Sequence, residues 1–221
     1  MAFESCYKSP VMPDLQKLHQ AVIEGDWKAA AAVTHAAIAE GVAALTIVGC
    51  LVPAMDEVGR LFECEEYFVP EMLLSARAMK ASMEIVRPLL KATGAEPVGR
   101  VVIGTVKGDL HDIGKNLVAS MLEGGGFEVI DLGADVAPQR FIEAAAARHA
   151  NLVALSALLT VTMPSMKTTI EAFQAAGLRD QVKIMVGGAP VTQQYADAIG
   201  ADGYSESAGG AVALARKLVA V

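Results

Sequence analysis

RVVIGTVKGDLHDIGKNLVASMLEGG, residues 100–125, sets the reading of the whole chain. It begins as an apolar, β-branched run over 100–106, passes through a polar turn with glycines at 108 and 114, and becomes a helical stretch over about 114–124. Similar β-branched runs recur at 127–132, 152–156, 182–186 and, more weakly, 201–205. Helical stretches follow them at about 138–149, 164–177, 191–199 and 208–219. Strand–helix alternation gives a parallel sheet with helices on both faces, and strands that are apolar nearly throughout are those buried on both sides. The expected fold class for residues 100–221 is therefore α/β: a flavodoxin- or Rossmann-like five-stranded parallel sheet with flanking helices.

Upstream the rhythm is helical. Asp14 is placed to cap a first helix reaching about residue 24, and Asp26 a second from 27 to about 40. A third spans about 43–62, and a fourth opens near Val69 with Pro70 in its first turn, where a missing N–H costs nothing. Met72, Ala76, Met79, Met83 and Val86 recur along that fourth helix at the spacing of one buried stripe. Four helices on short links suggest an antiparallel bundle, with Pro53 and Pro88 expected to bend or end their helices. The stretch TGAEPVG reads as a linker, so the division expected is a helical bundle over 1–92, a linker over 93–99 and the sheet over 100–221.

Composition narrows the function. A chain of 221 residues can hold one large domain or two small ones, each with its own core. A net charge of −7 without a cluster of Lys or Arg argues against nucleic acid and anionic membranes as partners. The longest apolar run, 42–55, contains Pro53 and is too short to cross a bilayer. MAFESCYKSP lacks the regions of a signal peptide, so the expected location is the cytoplasm. Cys6, Cys50 and Cys64 form no C-x-x-C pair and no disulfide framework. Cys50 reads as a small buried hydrophobe and Cys64, among Glu63, Glu65 and Glu66, as a solvated helix end.

In an open parallel sheet, ligands bind beyond the C-terminal strand ends. There this chain places Gly108, Asp109, Leu110, His111, Asp112, Ile113 and Gly114 after the first strand, and Ser156, Leu158, Thr160 and Thr162 after the third. Gly187, Gly188 and Ala189 follow the fourth, and Tyr204, Ser205 and Ala208 lie at the fifth. Strands one, three and four are neighbours in a flavodoxin-like order, so their loops would line one crevice. Paired glycines either make a turn or let a bulky ligand approach the backbone. His111 sits on a loop with Asp109 close enough to bond one ring nitrogen, which leaves the other free to bind a metal or move a proton. His19, His35 and His149 fall on helical stretches without partners and read as surface or satisfied residues. A zinc site wants three or four clustered ligands; a single imidazole suits a metal whose other positions a macrocycle already fills.

D-x-H-x-x-G, here Asp109, His111 and Gly114, resembles the signature of cobalamin-binding domains, and the match extends to S-x-L (Ser156, Leu158) and the Gly187–Gly188 pair. The strings GTVKGDLHDIGKN, LLTVTM and GGAPVTQQYADAIGADGY are similar to the corrinoid proteins of anaerobic methyltransferase systems. VPAMDEVGRLFE and YFVPEMLLSARAM are similar to their helical cap. The resemblance implies a cobalamin, as methylcobalamin or a related corrinoid, with His111 replacing its lower base on cobalt and the displaced nucleotide tail threading between the strands. Asp109 would hydrogen-bond His111, and Thr162 stands where a hydroxyl extends this relay in the related methionine synthase domain. Residues 204–208 would border the tail, and Phe68 and Met72 would cover the upper face. The reaction implied is methyl transfer through cobalt, His111 binding in the methylated state and leaving in the reduced one as a proton arrives through Asp109. The partners implied are a substrate-specific methyltransferase and a second one that passes the methyl to tetrahydrofolate or a thiol; a reductive activase is compatible with both. The donor, whether methanol, a methylamine, a methoxyarene or a betaine, is set by the partner. Three readings compete: a cobalamin-dependent sensor without methyl transfer, a mutase subunit using adenosylcobalamin, and a flavodoxin-like flavin or nucleotide binder that leaves Asp109 and His111 idle.

Overall fold

The computed structural model describes residues 15–92 and 97–220. Its helical half contains α1 (Leu15–Ile23), α2 (Trp27–Ala39), α3 (Ala44–Glu63) and α4 (Val69–Ala92). The rest alternates: β1 (Arg100–Thr105), α5 (Ile113–Gly124), β2 (Glu128–Asp131), α6 (Pro138–Arg148), β3 (Leu152–Ser156), α7 (Pro164–Ala175), β4 (Lys183–Gly187), α8 (Gln193–Ile199), β5 (Gly203–Ser205) and α9 (Ala208–Val219). A short 3-10 turn at Arg179–Gln181, which hydrophobic periodicity does not register, precedes β4. The caps expected at Asp14 and much of the 93–99 linker lie outside the described residues, as does Cys6.

Local chemistry starts and stops the helices. Asp26 accepts from the Lys28 and Ala29 amides, Thr192 from Tyr195 and Ser207 from Gly210, each answering an orphan donor of a first turn. His149 and Gly200 end α6 and α8 in the left-handed conformation. Pro53 and Pro88 do not end their helices: α3 and α4 run through both. An interior proline costs about 3 kcal/mol, and around Pro53 the fully buried Leu51, Ala54, Met55 and Val58 offset that by packing.

The five strands are all parallel, in the order β2-β1-β3-β4-β5. Alternation along them serves two cores. Val102, Val153, Leu155, Ile184 and Val186 face one layer that includes Phe141 of α6 and Phe173 of α7. Val101, Ile103, Leu152, Ala154 and Met185 face α5 and α9, and this second cluster continues without a break into the helical half through Met55, Val58, Met121 and Val212. Composition allowed two separate cores; here the helices share one with the near face of the sheet.

Small residues make that junction close. A Cβ on Gly124 would lie 3.0 Å from Met55 Cγ, and one on Gly59 would lie 3.7 Å from Gly209 Cα. Arg216 of α9 pairs with Asp56 of α3 at 3.0 Å, and Ser207 Oγ donates to Glu63 Oε1 at 2.9 Å. The second half of α3 is thereby tied along α9, with its C-terminal end at the start of α9 beside the C-terminal edge of the sheet. No helix among the described residues is long and apolar enough to cross a membrane.

Candidate functional site

The turn after β1 is held at both ends. The Val106 amide still donates to Ser156 of β3 at 3.0 Å, and the Thr105 hydroxyl, fully buried, donates to the His111 carbonyl at 2.8 Å. Between them the chain reverses at Gly108, whose φ of +88° a residue with a side chain rarely adopts. Asp109 follows with its carboxylate wholly buried.

That carboxylate is saturated. Oδ1 accepts from the His111 amide at 3.0 Å and from His111 Nδ1 at 2.7 Å. Oδ2 accepts from the Leu158 and Leu159 amides at 2.8 and 3.3 Å and from Thr162 Oγ1 at 2.7 Å. Burial pushes the Asp109 carboxyl up, but the donors from Thr162, His111 and Leu158 outweigh it and hold the group well below the usual carboxylate range. A charged Asp109 keeps the proton of the ring on His111 Nδ1. His111 Nε2 then carries the lone pair, has no partner among the described residues, and belongs to a side chain that is half exposed.

Beside the imidazole opens a cavity of about 620 Å³. Its walls are the ends of β1, β3, β4 and β5 and the facing sides of α5 and α9, with Phe62 of α3 at the helical side. Ser156 and Gly187 lie on adjacent strands, paired in register. Gly188 is glycine by necessity: at φ +127° a Cβ would stand 1.9 Å from the Ala157 carbonyl oxygen. The rim is apolar and open, with Leu110 and Ile113 each at least three-quarters exposed. Such a rim next to a free imidazole is the surface a flat apolar ligand would cover.

Of the residues singled out in the sequence, Leu110, His111, Asp112, Ile113, Gly114, Ser156, Leu158, Gly187, Gly188, Ala189, Ser205 and Ala208 line this cavity. Gly108, Asp109, Thr160, Thr162 and Tyr204 do not. Asp109 and Thr162 stand behind His111, and Tyr204 packs against the α6–α7 side of the sheet. Met72 is fully buried in the shared core, where the stripe of α4 puts it, whereas Phe68 is 63% exposed just before α4. Phe62, Lys115, Leu117, Val118 and Ala211 are among the further lining residues, and the sequence motifs do not mark them. Their apolar spacing signals only the buried side of a helix. Cys50 is half-buried and its thiol donates to the Leu15 carbonyl at 3.0 Å, while Cys64 is exposed.

Among the described residues no three His, Cys, Asp or Glu side chains converge on a point. One imidazole, an apolar rim and a deep slot between sheet and helices fit a macrocyclic metal cofactor with a tail.

The B12 binding domain family matches residues 99–213, and a second B12 binding domain family matches residues 14–87. The dimethylamine corrinoid protein 1 of Methanosarcina acetivorans is 44% identical over 207 residues, 93% of this chain and 97% of the relative. A crystallised cobalamin-binding protein from Desulfitobacterium hafniense superposes with a TM-score of 0.78 at 33% identity, covering 93% of this chain and 98% of its own. The methanol:cobalamin methyltransferase complex of Methanosarcina barkeri gives a TM-score of 0.81 at 28% identity, over 93% of this chain and 79% of that one.

Proposed function

This chain belongs to the B12-binding corrinoid proteins, and from that premise we propose that it carries a methyl group between a substrate:corrinoid methyltransferase and a second methyltransferase that delivers it to tetrahydrofolate or a thiol. A relative crystallised within a methanol:cobalamin methyltransferase complex supports the first partner. When bound, the corrinoid supplies a cobalt that accepts the methyl group and gives it up again.

The observation that carries the reading is the buried, charged Asp109 holding His111 Nδ1 at 2.7 Å, with Nε2 free beside the cavity. A carboxylate behind an imidazole fixes its tautomer and raises its basicity as a ligand. In this reading His111 would hold the cobalt of the corrinoid through Nε2. In the same reading Ser156, Gly187 and Gly188 border the slot for the nucleotide tail.

Thr162 gives the pair a second state. Its single hydroxyl proton faces two acceptors, Asp109 Oδ2 at 2.7 Å and the Leu159 carbonyl at 2.8 Å. Turned towards Leu159, the hydroxyl oxygen accepts a proton resting on Asp109 Oδ2. A proton can thus sit on Asp109 without leaving a buried polar group unpaired. Asp109 and Thr162 form the proton relay in this account. On the helical side we assign cover of the upper face to Phe68, whose ring is exposed; the buried Met72 serves the core.

The test is spectroscopic and kinetic. Protein loaded with methylcobalamin should show the absorbance of an imidazole-ligated corrinoid, and His111→Ala should shift it and slow methyl transfer while retaining some cofactor. An unchanged spectrum in the variant removes His111 from cobalt. Pairing the loaded protein with methyltransferases for methylamines, methanol, methoxyarenes and betaines then identifies the donor; transfer with none of them would leave a cobalamin sensor as the better description.

A further inference from the structure

We infer that Asp135 is a positioning residue for His111, holding the 107–109 turn from outside and so fixing where the imidazole stands. The inference rests on His111 being the cobalt ligand.

Asp135 lies in the loop between β2 and α6, on a different segment from the turn it grips. Its carboxylate oxygen Oδ1 accepts from the Gly108 amide at 2.8 Å, and the same carboxylate pairs with Lys107 Nζ at 2.9 Å. Its own amide donates to the Asp109 carbonyl at 2.9 Å. Residues 107, 108 and 109 are therefore each held by this one residue. The next residue continues the grip: the Val136 amide donates to the Thr105 carbonyl at 3.0 Å, and Val136 bridges Val106 in parallel fashion.

Two features separate this arrangement from an ordinary loop contact. Asp135 adopts φ +54°, a left-handed conformation that costs free energy in a non-glycine residue and persists where surrounding contacts impose it. Gly108 sits at φ +88°, and Asp135 Oδ1 is the acceptor that meets its amide. The Lys107 pair is a minor part. Both side chains are largely exposed, and such pairs contribute little. The bonds to the Gly108 amide and the Asp109 carbonyl carry the grip.

The other anchors do not duplicate it. Ser165 Oγ donates to the Lys107 carbonyl at 2.9 Å and Thr105 holds the far end at His111. Neither touches Gly108 or Asp109. With the Asp135 carboxylate gone, the 108 amide loses its partner while Asp109 remains locked to Leu158 and Thr162. The strain falls on the segment that aims His111, where an ångström of displacement is enough to lose a coordinate bond.

The experiment uses the full chain labelled with 15N-histidine and loaded with cob(II)alamin, read by electron paramagnetic resonance. A protein imidazole on cobalt gives the doublet splitting of 15N, whereas the cofactor's own base gives the triplet of 14N. Asp135→Ala should lower the 15N-ligated fraction by about tenfold with total corrinoid bound unchanged, the scale of losing an outer-shell partner. Asp135→Asn keeps an oxygen for the Gly108 amide and should restore most of the doublet. Equal doublets in wild type and Asp135→Ala overturn the inference, and so does an Asn variant as impaired as Ala. Should Asp135→Ala not fold by circular dichroism, Asp135→Gly removes the carboxylate without the φ penalty and decides in the same way; if that too fails to fold, Asp135 serves folding and the inference is lost. A wild-type spectrum without the 15N doublet rejects the ligand role of His111 itself, a separate outcome.

Discussion

Asp109 accepts five hydrogen bonds from four residues, His111, Leu158, Leu159 and Thr162, through two oxygens. Each oxygen faces at least one backbone amide, which can only donate. An amide offers one oxygen, so Asp109→Asn must turn an NH2 towards either the imidazole or the amides of the loop after β3. We expect a loss of about 1–3 kcal/mol in denaturant unfolding from the unpaired buried donors. The pH dependence has a definite sign. The folded-state pKa lies below the unfolded value, so the carboxylate's contribution is complete above the ordinary carboxylate range and is lost as pH falls below it towards the depressed folded value. Asp109→Asn should therefore flatten the acid limb of a stability profile measured by thermal melting; an unaltered acid limb would show that other groups control it. His111, half exposed, supplies one of the five donors to that carboxylate, so His111→Ala should cost less than Asp109→Asn, about 0.5–1.5 kcal/mol.

At the scale of elements, two strand-end turns carry glycine for different reasons. Gly108 has open space around its missing side chain, the nearest atom being Thr162 Cγ2 at 3.8 Å from a built Cβ. Gly108→Ala should cost only the left-handed backbone, about 1–2 kcal/mol. Gly188 meets the Ala157 backbone at 1.9 Å, so Gly188→Ala must displace the end of β3 or β4. We expect more than about 3 kcal/mol there, together with weakened corrinoid binding, since strain and clash add. Parallel denaturation curves with equal midpoints would contradict this ranking. Sequence alone located both turns, because β-branched runs ending in glycine mark strand ends. It could not rank them, because the clash at 188 comes from a different strand.

For the whole molecule the decisive contact is the junction between the helical half and α5 and α9. Gly59 and Gly209 approach closely there: a Cβ on Gly209 would stand 3.6 Å from Gly59 Cα and 2.9 Å from Glu63 Oε1. Gly209→Leu should force the halves apart, increasing the radius of gyration in small-angle scattering while far-ultraviolet circular dichroism stays that of the wild type. Arg216→Ala deletes the neighbouring ion pair to Asp56, yet both groups are partly exposed, so its effect on stability should remain below about 1 kcal/mol. Packing, more than charge, holds the two halves together.

Hydrophobic period and strand-end chemistry settled much from the chain alone: the helical half, the parallel sheet in its order, and the Asp109–His111 pair at the edge where ligands bind. These are local or nearest-neighbour properties, written in spacing that a single sequence displays. Tertiary structure alone decided the rest. That Pro53 and Pro88 stay inside helices, that Met72 is core, and that the helices share one cluster with the sheet all follow from burial against segments far along the chain. So does the grip of Asp135 on the 107–109 turn, which joins residues 27 positions apart through backbone groups that carry no sequence signature.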